Sequence, residues 1–125
     1  MIVLDTHILV WYALGSPQLS AARVRQIQAA APRVFISAIS LWEVAMLLER
    51  GRLSGFSVAD LRKVIAASGF QEANLSGEMA VMSRRLGLPH QDPADRFIAA
   101  TAVAMRATLV TDDENLVGFA WLPTA

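Results

Sequence analysis

Ile2-Val3-Leu4-Asp5-Thr6-His7 decides the fold. Three consecutive apolar residues read as a strand buried on both faces, because a strand with one wet face would alternate. That run stops on an acid. The same pattern recurs far along the chain, where Thr108-Leu109-Val110 runs into Thr111-Asp112-Asp113, and Val34-Phe35-Ile36 makes a further short run. Longer segments of helical period lie between them. Ser20 to Ala31 carries Val24 and Ile27 on one face and stops at Pro32. Ile39 to Arg50 places Leu41, Val44, Leu47 and Leu48 at helical spacing before Gly51. Ser57-Val58-Ala59-Asp60 resembles a capping box opening a helix that Gly69 closes. Gly77 to Leu86 is a further helix, and Asp92-Pro93 opens another that runs to about Met105. Trp121-Leu122 is expected as a short edge strand. Strands alternating with helices of this length predict an α/β fold, with a parallel sheet covered on both faces.

The length of 125 residues is one domain's worth, so a single domain over 1–125 is expected. The absence of cysteine excludes disulfide scaffolds, thiolate metal sites and thiol nucleophiles. Hydrophobic residues at 54% against 18% charged describe a globular chain rather than a disordered one. Eleven basic residues balance eleven acids, which leaves no general basic coat for nucleic acid, only local patches. No segment approaches the roughly 18 apolar residues a membrane span needs. Asp5 and His7 interrupt the apolar start, and no Lys or Arg precedes it, so it does not read as a signal peptide. A soluble cytoplasmic protein is expected.

The acids carry the functional information. Asp5 and Asp113 fall at the carboxyl ends of strands, where open α/β sheets bind ligands. Glu43 is the only charge in a long apolar stretch, about one helical turn beyond the second strand. Asp95 lies in the first turn of the helix that leads into Thr108-Leu109-Val110. No Lys or Arg lies within four residues of Asp5, Glu43 or Asp113. Converging carboxylates repel one another, and burial penalises their charge further. A divalent cation is the natural compensation. An all-oxygen donor set favours Mg²⁺ or Mn²⁺ over Zn²⁺ and suits phosphoryl chemistry.

Simpler readings exist for each acid. Asp92 reads as a helix cap, and Asp95 could complete a capping box with it. One of Asp112 and Asp113 could cap a helix or lie in a solvated turn, and Glu43 could sit exposed on an amphipathic helix. Asp5 has the weakest structural explanation. His7 and His90 could form an acid–base pair independent of metal, although a turn and a strand end account for both. An aspartyl-phosphate phosphatase needs D-x-D where this chain has Asp5-Thr6-His7. A receiver-like module needs a lysine after a late strand, but Lys63 is in the middle of a helix. Trp11, Trp42 and Trp121 could stack bases, but core or dimer contacts are the favoured reading. For Arg23, Arg25, Arg84 and Arg85 a solvated helix face is favoured over RNA backbone contacts.

Four segments in order resemble the PIN-domain family, specifically the ribonuclease toxins of VapBC toxin–antitoxin pairs. They are Ile2 to Trp11, Ile36 to Ala45 around Trp42-Glu43, Leu88 to Arg96 around Asp92-Pro93-Ala94-Asp95, and Leu109-Val110-Thr111-Asp112-Asp113. Ala94 stands where a Phe is common in that family. The resemblance implies a three-layer α/β/α sandwich with a central, mostly parallel sheet of four to five strands. It implies an acidic pocket of Asp5, Glu43, Asp95 and Asp113 that holds Mg²⁺ or Mn²⁺ and hydrolyses RNA phosphodiesters with an activated water. Asp5 and Asp95 would be the most direct ligands, with Glu43 and Asp113 completing the charge. Asp113 rather than Asp112 matches the family's T-x-D acid, though the doubled Asp leaves the choice open. Thr6 and Thr111 match hydroxyls near the pocket. The resemblance also implies a homodimer and a cognate VapB-like antitoxin. A non-catalytic PIN-like module that binds RNA or protein is the alternative.

Overall fold

The computed structural model describes residues 1–89 and 91–125. Strands β1 (Ile2–Leu4), β2 (Val34–Ser37), β3 (Gln71–Ala73) and β4 (Thr108–Val110) form one sheet of order β3-β2-β1-β4, parallel throughout. Ile2 is level with Val34 on one side and Thr108 on the other. Among the described residues six α-helices accompany the strands: α1 (Thr6–Leu14), α2 (Ala21–Ala30), α3 (Ala38–Glu49), α4 (Val58–Ala67), α5 (Gly77–Arg85) and α6 (Pro93–Met105).

Strand alternation divides the core between the two faces of the sheet. Ile2, Leu4, Val34, Ile36 and Val110 pack with Ile8 and Leu9 of α1, Ile27 of α2, Val44 of α3 and Leu61 and Ile65 of α4. Val3 and Leu109 face the other way, against Ile98, Ala99 and Ala102 of α6, with Leu88, Leu116 and Leu122 around them. Helix α5 packs on α6. The small side chains along α6 let it lie close to the strands. This is the expected three-layer arrangement with four strands.

The capping signals act as expected. Ser57 Oγ accepts from the Asp60 N–H at 3.1 Å, and Asp60 Oδ2 accepts from the Ser57 N–H at 2.9 Å. Asp92 Oδ1 accepts from the Ala94 N–H at 3.0 Å, with Pro93 in the first turn of α6.

The chain departs from the sequence reading at its C-terminus. Trp121-Leu122 is not a strand. Leu122 is buried in the core, and the extended pairing falls slightly later. The Leu109 N–H donates to Pro123 O at 2.9 Å and the Ala125 N–H donates to Leu109 O at 2.9 Å, so residues 123–125 shield the outer edge of β4. An unpaired edge needs such cover, and backbone atoms supply it without an apolar signature. Two elements carry no sequence signal of their own. Helix α1 is apolar nearly all round, so no helical period stands out. Strand β3 has exposed Gln71 and Glu72, as an edge strand tolerates.

Candidate active site

The sheet order places the reversal of strand sequence between β1 and β4. Chain ends diverge there and leave a crevice at the carboxyl edge. Asp5 follows β1 directly and caps α1: its Oδ1 accepts from the Thr6 N–H at 2.8 Å. Its Oδ2 accepts from the Thr111 hydroxyl at 2.6 Å. Thr111 follows β4, and its Oγ1 accepts in turn from the Asp113 N–H at 3.0 Å. Asp5 therefore has a structural purpose that the sequence did not suggest, in addition to its place in the crevice. Only 4% of its surface is exposed.

The other acids arrive on different elements. Ser37 caps α3, and the Thr6 hydroxyl donates to Ser40 Oγ at 3.0 Å, which ties the start of α1 to the first turn of α3. Glu43 lies one turn further along α3, half-buried. Asp95 stands in the first turn of α6, beyond its cap Asp92.

Electrostatics shows which acids sense one another. Burial raises the Asp95 carboxyl to about 8, with the charges of Asp92, Asp5, Asp113 and Glu43 adding to the shift. Burial also raises Asp5; Thr111, the Thr6 N–H and nearby His7 oppose it, and Asp113 adds to it. Glu43 is raised by burial, held down in part by the Thr6 hydroxyl, and pushed up again by Asp92 and Asp5. The three other expected acids, Asp5, Glu43 and Asp113, thus lie within electrostatic reach of Asp95. Asp92 caps its helix as expected and also adds charge to the site.

Reach is not coordination. Among the described residues, no three His, Asp or Glu side chains are gathered tightly enough to hold one ion. Hydrogen bonds already engage two of the acids. Asp113 Oδ1 accepts from the Asn115 N–H at 2.9 Å, capping the short 3-10 turn Glu114–Leu116, and both Asp5 oxygens have protein donors. In chemistry the donor set fits a hard divalent cation: it is all carboxylate, and three of its members resist ionising together.

Several side chains differ from expectation. Asp112 forms an ion pair with Arg23, so Arg23 is not merely on a solvated face. Trp42 and Trp121, expected in core or dimer contacts, are 54% and 38% exposed, which removes the core reading for both. Trp11 is half-buried, and exposed His7 stacks with it at a centroid distance of 6.1 Å. His90 lies outside the described residues. Arg96 plays a role the sequence did not reveal. It is 3% exposed and donates to the carbonyls of Ser83, Arg84, Leu86 and Leu88 at 2.7–3.4 Å. Buried hydroxyls were missed too. Thr101 Oγ1 bonds Ser37 Oγ at 3.3 Å and donates to Phe97 O at 2.8 Å. Their signal was polar residues inside the apolar runs Ile36–Ile39 and Ala99–Ala102.

No helix among the described residues is long and apolar enough to cross a membrane. A family model described as PIN domain matches residues 2–122. Ribonuclease VapC22 of Mycobacterium tuberculosis is 30% identical over 120 residues, covering 92% of this chain and 88% of that protein. A toxin–antitoxin complex from Klebsiella pneumoniae contains a chain 25% identical, with a TM-score of 0.69 and 98% and 95% of the two chains covered. VapBC2 from Rickettsia felis, bound to a fragment of its promoter DNA, aligns at a TM-score of 0.73 and 24% identity, covering 100% and 98%. The fold, the order of the acids and these similarities agree: the chain belongs to the PIN-domain family, on its VapC branch.

Proposed function

We propose that this chain is the toxin of a VapBC-type pair, a cytoplasmic ribonuclease that hydrolyses RNA phosphodiester bonds with Mg²⁺ or Mn²⁺ held by Asp5, Glu43, Asp95 and Asp113. The observation that supports this most directly is Asp95, raised to about 8 by burial and by the charges of the other site acids. Carboxyls that oppose one another's ionisation in this way are held together most easily by a cation. Such an ion lowers the pKa of a water and stabilises charge on the phosphoryl group. Asp5 and Asp95 are assigned as the most direct ligands. Glu43 and Asp113 complete the charge and orient water. The ion pair of Asp112 with Arg23 supports choosing Asp113 over Asp112. Thr111 fixes Asp5 and positions the Asp113 backbone. Thr6, through Ser40, links the start of α1 to the helix that carries Glu43.

A VapB-like antitoxin is the proposed partner, and a homodimer the proposed assembly. The deciding experiment compares the parent with Asp5→Asn and Asp95→Asn. The parent should cleave RNA with Mg²⁺ or Mn²⁺ and lose activity in EDTA. Both variants should stay folded by circular dichroism while cleavage falls by about a thousandfold or more. Full activity in either variant, or in excess EDTA, refutes the metal site, and EDTA-resistant activity turns attention to the histidines.

A further inference from the structure

An open depression of about 250 Å³ is lined by Asp5, His7, Trp11, Asp112 and Asp113. Two of its walls are not carboxylates. His7 and Trp11 lie four residues apart on α1, on the same side of the helix. Their rings stack with an interplanar angle of 28°. The residues between them, Ile8, Leu9 and Val10, point into the core. The cap at Asp5 therefore sets an aromatic ledge immediately beside the buried acid. The acidic lining disfavours a bare phosphate in this depression. A flat, neutral ring avoids that repulsion and gains the π face. Arg23, paired with Asp112, lines the adjoining depression on the other side of that acid, where its guanidinium offers a positive partner to a neighbouring phosphate.

We infer that this depression is a nucleobase subsite, in which a base of single-stranded RNA stacks on the His7–Trp11 pair beside the site acids. The inference rests on the ribonuclease reading and names how the substrate is gripped. Stacking on an aromatic side chain tolerates any base. The ledge therefore secures an unpaired nucleotide next to the reacting phosphodiester and gives only modest sequence preference.

The test measures binding of labelled oligoadenylate and of an abasic ribose-phosphate oligomer of equal length, by fluorescence anisotropy with Mg²⁺. The Asp95→Asn protein serves as parent, and RNA integrity is checked on a gel. The parent should bind oligoadenylate roughly tenfold more tightly than the abasic oligomer. Adding Trp11→Leu, which keeps apolar packing and removes the π face, should abolish most of that gap. His7→Ala, at an exposed position, should narrow it, and Trp11→Phe should retain much of it. A purely structural role for the pair would weaken both oligomers equally. Equal affinities in the parent, binding of neither oligomer, or an unchanged gap in Trp11→Leu and His7→Ala would overturn the subsite. Metal-dependent cleavage of oligoadenylate by the unmutated protein, measured separately, reports on the nuclease reading alone, so the two ideas can fail independently.

Discussion

One hydroxyl, Thr111 Oγ1, serves two acids: it donates to Asp5 and accepts from the Asp113 backbone. Thr111→Val keeps the shape and removes both bonds. Asp5 then loses a donor that holds its pKa down. The acid limb of the kcat/KM profile should move to higher pH, and cleavage should fall about tenfold or more. The Asp95 carboxyl sets a second pH effect. Its folded pKa, about 8, lies well above the ordinary carboxylate value of 3.8. Between those values the folded state binds more protons than the unfolded chain, so stability falls as pH rises through that window. Melting temperatures without metal should therefore drop from pH 5 to pH 8, and Asp95→Asn should flatten the decline. A slope equally steep in Asp95→Asn would show that Asp95 does not carry it. Asp5 and Glu43 were legible as candidates in the sequence, because each interrupts an apolar run with no basic residue within four positions. Their rotamers were not. That Asp113 caps Asn115 and Asp5 caps α1 depends on backbone geometry that spacing alone does not reveal.

At the scale of elements, Arg96 fastens the end of α5 and the segment after it to the start of α6. Arg96→Ala leaves those carbonyls, two of them in buried bonds, without this donor. It should cost about 3 kcal/mol in urea unfolding. Arg96→Lys should recover only part, since an ammonium cannot spread its donors over the same carbonyls. A loss under about 0.5 kcal/mol would show that the carbonyls find other partners. Helix α6 was legible because Asp92-Pro93 fixes its start and small residues give it a clear face. Helix α1 was hidden by the opposite property, apolar residues on every side. Strand β3 was hidden because two of its three residues are polar and exposed. The segment after Leu122 was displaced from expectation because only its backbone pairs with β4.

For the whole molecule, metal binding and folding should be coupled. A cation that binds only the assembled acids stabilises the folded state by mass action. Mn²⁺ should raise the melting temperature more at pH 8 than at pH 6, because protons compete for the same carboxyls at the lower pH. Equal shifts at both pH values would place the ion elsewhere. The strand order β3-β2-β1-β4 has a consequence for synthesis. The last strand to leave the ribosome lies against the first, and Thr111 and Asp113 follow it. A nascent chain that already carries Asp5 lacks the other wall of the crevice until β4 and the residues after it have been added. On the proposed reading, a polypeptide still short of β4 should leave RNA uncut, because the full set of acids comes together only once that strand closes the sheet.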